Sequence, residues 1–249
     1  MRSPHRAYTT ISLSLLVLVA CASPRPTELP TVPDTIPDGF PEERYRALAA
    51  SGAPVYEIDT ARTLVQIHAF RDGPMARLGH DHVVASRDVR GYIFVAAQGA
   101  DKFVNIEADL YAPLAAMSVD EPQLRSAAGF DTDISDSARE GTRANMLASI
   151  EAGQFPYVTL NIRAMLESRA AKNIDTVLTT TLVLHGATRT FETPARISID
   201  DQTLRAEGTL SILQSEFGIE PHKALGGALS VRDRLELQFM LTAVRVTAE

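Results

Sequence analysis

Val104-Asn105-Ile106-Glu107-Ala108-Asp109-Leu110 alternates an apolar residue with a polar one at every step. A period of two marks an extended strand with one buried and one wetted face, because successive side chains leave a strand on opposite sides. The alternation returns in Val158, Leu160, Ile162 and Ala164, set between Thr159, Asn161 and Arg163. It returns again in Leu204, Ala206, Gly208, Leu210 and Ile212, and in Leu235, Leu237, Phe239 and Leu241, where Met240 alone is out of phase. Further strands are expected at Val55–Asp59, Thr63–Phe70, Val83–Arg87, Tyr92–Ala96, Ile174–Leu184 and Thr190–Ile199. Strands with one polar face pair antiparallel, and a succession of them with short polar breaks predicts an all-β barrel or sandwich. One interruption reads as a short helical insertion: Asp136 or Ser137 caps a segment through Arg143, Leu147 and Ile150, with Gly153 and Pro156 to stop it.

Upstream of this domain, expected to span residues 54–249, the character of the chain changes. Arg2, His5 and Arg6 precede an apolar run from Ile11 to Ala20, too short for the roughly 20 residues a bilayer span needs but suited to a secretory signal. The run ends Leu18-Val19-Ala20-Cys21, with small residues before the only cysteine. This resembles a bacterial lipobox, which implies a signal peptide over residues 1–20, lipidation of Cys21 and a membrane anchor at the new N-terminus. By the same resemblance, Ala22 after the cysteine favours the periplasmic face of the outer membrane. Residues 21–53 read as a linker: Pro24, Pro26, Pro30, Pro33, Pro37 and Pro41 cannot donate to a helix or ladder and favour an extended, semi-rigid spacer. Glu42 to Ser51 is expected to form a short helix before Gly52.

Composition narrows the function. The 249 residues carry a net charge of −7 with 45% apolar and 22% charged residues, enough apolar side chain for a core. The acidic balance and the lack of a Lys/Arg cluster argue against nucleic acid as a partner. A single cysteine permits neither an intrachain disulfide nor a multi-cysteine zinc site.

Several segments, in order, resemble the YceI-like family of secreted bacterial proteins. They are Tyr56-Glu57-Ile58-Asp59 with Leu64-Val65-Gln66-Ile67; Thr142 to Leu147 followed by Phe155-Pro156-Tyr157-Val158-Thr159-Leu160; Thr181-Leu182-Val183-Leu184-His185-Gly186-Ala187-Thr188-Arg189; and Ser211 to Ile219 followed by Val231-Arg232-Asp233-Arg234-Leu235. The resemblance covers about residues 55–246. It implies an extended lipocalin-like antiparallel β-barrel around an elongated apolar cavity for a polyisoprenoid or other long-chain lipid. It also implies that two copies can pair as a homodimer, though no exposed apolar stripe marks a surface for this. The residues agree with a lipid ligand, since the expected inward set Ile106, Ala108, Leu160, Ile162, Leu182, Leu184, Leu210, Ile212, Leu237 and Phe239 carries no charge. The alternative is that these side chains pack on one another and leave no cavity.

Leu78-Gly79-His80-Asp81-His82 departs from the family pattern. In extended backbone His80 and His82 share a face, as for two imidazole ligands of zinc or another divalent metal, with His185 or His222 as a third. A metal-dependent periplasmic protein, or a hydrolase built on His80, Asp81 and His82, is therefore the rival reading. Beyond that cluster, no nucleophile elbow, metalloprotease helix, phosphate loop or dinucleotide fingerprint occurs, so a non-enzymatic carrier is the primary expectation. His68, between Ile67 and Ala69, is expected on the surface, and Glu107 and Asp109 on a solvated face.

Overall fold

The computed structural model describes residues 29–98, 103–130, 134–166 and 173–247, and in it the alternating segments close into one antiparallel barrel. Strand β1 is Val55–Ile58 continued by Leu64–Asp72, β2 is His82–Ser86 continued by Arg90–Gln98, and β3 is Phe103–Pro113 continued by Ser118–Val119. Strands β4 (Tyr157–Leu166), β5 (Ile174–Leu184), β6 (Ala187–Ile199), β7 (Thr203–Leu213) and β8 (Leu229–Arg245) follow without interruption. Each pairs with the next in sequence, and β8 returns to β1 through Ile58–Ala243 and Ile67–Leu237, so eight strands close the wall. Closure leaves no free sheet edge.

The breaks have local causes. Asp59 accepts a hydrogen bond from the Ala61 amide at 3.0 Å, which lifts Thr60–Arg62 out of β1 as a single 3-10 turn. At Gly91 φ is +132°, and a Cβ there would lie 2.2 Å from the Asp109 carbonyl oxygen of β3. Only glycine fits so close an approach. Gly91→Ala is expected to cost at least about 1–3 kcal/mol, read as a lower urea midpoint; an unchanged midpoint would show that the strand relaxes freely. Between β6 and β7 the ladder ends at Ala195–Gly208, next to Pro194, which has no N–H to extend it. Phe217, almost fully buried on the turn after β7, packs there with Leu182 and Ile212.

One end of the barrel is closed and the other is open. Tyr56 is fully buried and shares the inner face with Ile93, its ladder partner, while its hydroxyl donates to the Asp200 carbonyl in the β6–β7 connection at 2.8 Å. Around it Val95, Val104, Leu204 and Ala243 fill the closed end. The opposite, rim end carries the connections 73–81, 114–156, 185–186 and 214–228. His185 (φ 52°) and Gly186 (φ 71°) form a two-residue hairpin there, both left-handed as a type I′ turn requires.

Among the described residues three helices lie outside the wall. Helix α1 (Glu42–Ala50) falls where expected and packs on the outer face, with Tyr45 fully buried, stacked on Tyr92 at 5.4 Å and donating to Asp109 Oδ2 at 2.7 Å. Arg44 pairs with Glu107 at 2.5 Å. The face of Glu107 and Asp109 is therefore outward, as expected, yet partly covered by α1 instead of solvated. Helix α2 (Pro122–Ala127) has no counterpart among the expected elements. Helix α3 (Asp136–Ser149) is capped by Ser135, one residue before the expected caps, and Arg143 ties it to the barrel through the Met117 carbonyl at 3.0 Å. The expected signal peptide and Cys21 lie outside the described residues.

Candidate functional site

Because one face of every strand is apolar, the closed wall surrounds an apolar interior, and the barrel radius leaves room along its axis. The interior holds a cavity of about 520 Å3, within the roughly 300–1,000 Å3 range of small-molecule sites. Ile106, Ala108, Leu160, Ile162, Leu182, Leu184, Leu210, Ile212, Leu237 and Phe239 all line it, drawn from five different strands. The alternative of side chains meeting across the centre does not describe this interior.

Other lining residues were not singled out in the sequence. Val65, Ile67 and Ala69 come from β1, Val84 from β2, Leu114 and Met117 from the turn between the two segments of β3, Met146 from α3 and Ile150 from its C-cap. Those on β1 and β2 carry the same period of two and could have been found by it. Met146 depends on how α3 is docked, which no local pattern reveals. Three hydroxyls in the lining, Ser86, Thr180 and Thr193, are nearly fully buried and have no hydrogen-bond partner within the chain. Buried polar groups without partners are uncommon and costly, so these are places where a ligand oxygen or nitrogen would be held.

The open end is polar. Arg71, His80, His82 and His222 line it, and no Asp or Glu does among the described residues. Asp81 does not line the mouth and accepts the Arg71 amide at 2.9 Å. Arg71 also donates to the Gly79 carbonyl at 2.7 Å, bracing the loop that carries the histidines.

His82 is fixed by a residue the sequence gave no reason to select. Its Nδ1 lies 2.6 Å from Asp120 Oδ2, and Asp120 is fully buried with φ 54°. The other carboxylate oxygen accepts from the Val83 amide at 3.0 Å and from Arg125 Nη1 at 2.7 Å. Burial alone would push the Asp120 carboxyl up, but the bonds from His82, Val83 and Arg125 outweigh it and hold the group below the usual carboxylate range.

The expected metal set is only partly brought together. His80, His82 and His222 share the rim, with His80 in the loop before β2 rather than on the strand. His185, on the hairpin at the same end, does not line the cavity: its Nδ1 lies 3.0 Å from the Phe217 carbonyl and its Nε2 3.4 Å from Glu151. Among the described residues no three His, Cys, Asp or Glu side chains converge as a metal would require. His68 faces outward but is not a free surface residue: Phe70 and Phe130 cover it at 6.4 and 5.9 Å, and its Nε2 is buried without a partner.

These features define a class: a closed antiparallel barrel with an axial apolar cavity open at one end. Within that class the chain belongs to the YceI-like domain family, whose pattern matches residues 56–243. Among solved structures it is similar to a polyisoprenoid binding domain from Saccharophagus degradans implicated in plant cell wall breakdown. The identity is 14%, covering 77% of this chain and 98% of that one, with a TM-score of 0.52. BcnA from Burkholderia cenocepacia is also similar at 14% identity, over 74% of this chain and 98% of that one, with a TM-score of 0.46. Comparison with curated proteins gives no match.

Proposed function

We propose that the protein is a non-enzymatic carrier or scavenger of a long-chain amphiphile, such as a polyisoprenoid or a fatty acid derivative, in the cell envelope. The observation that carries this reading is the apolar cavity along the barrel axis. Each methylene moved from water into such a cavity contributes about 0.8 kcal/mol, so ten contribute about 8 kcal/mol gross, before the costs of association and ordering reduce the net. Useful affinity therefore needs little polar contact, and the buried hydroxyls of Ser86, Thr180 and Thr193 have room to hold one polar group. Family membership and the polyisoprenoid-binding description of the Saccharophagus domain support a lipid ligand.

In this reading Cys21 is acylated after removal of residues 1–20, and the Pro-rich segment links the anchor to the barrel at the periplasmic face of the outer membrane. The histidines at the rim act on the ligand's polar end, and transport needs no metal. The test is solvent extraction of the purified protein followed by mass spectrometry, before and after exposure to envelope lipid extracts. One long-chain species per barrel is expected, and a chelator should leave its amount unchanged. A barrel that stays empty under both conditions contradicts the proposal.

A further inference from the structure

Asp120, with its left-handed backbone directly after β3, is held in place by the ladder itself. Its amide donates to the Val83 carbonyl at 2.7 Å and its Oδ1 accepts from the Val83 amide at 3.0 Å, so the two residues extend the β2–β3 pairing by one step. Arg125 Nη1 donates to the same Oδ1 at 2.7 Å and to the Asp81 carbonyl at 2.6 Å. That bridge ties the residue before His82 to the residue that meets its ring.

The position of the imidazole hydrogen follows from these partners. Oδ1 of the fully buried Asp120 takes two N–H donors, one of them cationic, which keeps the group a carboxylate. A carboxylate only accepts hydrogen bonds, so in the 2.6 Å contact with Oδ2 the hydrogen belongs to His82 Nδ1. In a neutral imidazole, a hydrogen on one nitrogen leaves a lone pair on the other. His82 lines the cavity and Asp120 does not, so Nδ1 faces the wall and Nε2 the mouth. Nε2 has no hydrogen-bond partner among the described residues, and the side chain is 19% exposed.

Charge at the mouth is already matched. Arg71, the one Arg or Lys among the described lining residues, has Asp81 at 3.7 Å and the Gly79 carbonyl at 2.7 Å. An anionic head would face a lone pair at His82 and a guanidinium that has its own carboxylate. A head bearing an O–H would face an acceptor.

We propose that His82 Nε2 accepts a hydrogen bond from a hydroxyl on the ligand's head, so that the mouth selects a neutral long-chain alcohol over an ether or a carboxylate. Asp120 is the positioning residue that sets the tautomer. The proposal rests on the carrier reading above and adds to it the chemistry of the head.

Two readouts on the purified full chain test it. The first is the pair of imidazole nitrogen NMR signals of His82 in isotope-labelled protein at mildly alkaline pH, assigned by their loss in His82→Phe. A protonated Nδ1 and a bare Nε2 are expected. Asp120→Asn should reverse them: Val83 and Arg125 require an oxygen at the Oδ1 position, so the amide nitrogen takes the other position and donates to Nδ1. The second readout is binding of hexadecanol, its methyl ether and hexadecanoate. The wild type should hold the alcohol about tenfold tighter than the other two, roughly the worth of one hydrogen bond. His82→Phe should bring the alcohol down to the level of the ether. Asp120→Asn should also make these two equal, because Nε2–H can donate to either oxygen. A neutral His82 with its hydrogen on Nε2, an imidazolium under the same conditions, or an alcohol preference that survives His82→Phe would overturn the proposal. Should Asp120→Asn not fold, the wild-type spectrum and His82→Phe still decide the matter. Equal binding of all three probes by the wild type removes the hydroxyl assignment alone, whereas binding of none removes the carrier reading.

Discussion

Ala108→Phe is expected to lower uptake of a long-chain amphiphile about a hundredfold while the barrel still folds. Ala108 is 2% exposed, lies on the inner face of β3 and borders the cavity between Ile93 and Ile162, its ladder partners. A phenyl ring there occupies space that a tail would take. Excluding three or four methylenes forfeits about 3 kcal/mol, which is about two decades of affinity. Overpacking in a filled core costs about 1–3 kcal/mol, and the adjoining void should keep the stability loss at or below that level. Titration with a fluorescent fatty acid and urea unfolding of the same sample measure the two effects. Undiminished uptake would place the ligand elsewhere on the protein.

The second large effect concerns stability. Asp120→Ala removes a fully buried carboxylate that holds His82, the Val83 amide and Arg125, whose own side chain is 5% exposed. Removing one member of a buried ion pair strands the other, at a cost of about 3–5 kcal/mol, a large part of the 5–15 kcal/mol typical of a folded domain. Asp120→Asn separates charge from shape, because asparagine also tolerates the left-handed backbone found there. The pH dependence has a definite sign. The folded Asp120 carboxyl titrates below its unfolded value, so its stabilisation is fully present above about pH 4 and is lost as pH falls through the lowered folded value. The wild type should therefore lose stability more steeply than D120N below about pH 4 in acid titrations followed by circular dichroism. Parallel curves would show that the charge of Asp120 adds nothing.

The barrel was legible because its driving interaction is written locally. Any strand that buries one face must alternate, so Ile106, Ala108, Leu160 and Phe239 could be assigned to the interior before their strands were paired. The interruptions were less legible, since Asp59 and Gly91 act through one hydrogen bond and one close approach that leave the periodicity intact. Asp120 left no trace, because its partner His82 is 38 positions away and the acidic pair Asp120-Glu121 after Val119 reads as surface. The histidines illustrate the same limit. Spacing placed His80 and His82 on one face, but only the three-dimensional arrangement turns His185 away from the cavity and hides His68 beneath Phe130. Length likewise gave no hint that the segment before β1 packs against the barrel through Phe40 and Tyr45.

The most direct measurement is a crystal structure of the protein with a long-chain fatty acid brominated at mid-chain, located by the anomalous scattering of bromine. A bromine peak on the barrel axis among Leu160, Leu182, Leu237 and Phe239 is the predicted result. A peak confined to the outer surface, with the interior side chains closed over the axis, would contradict it.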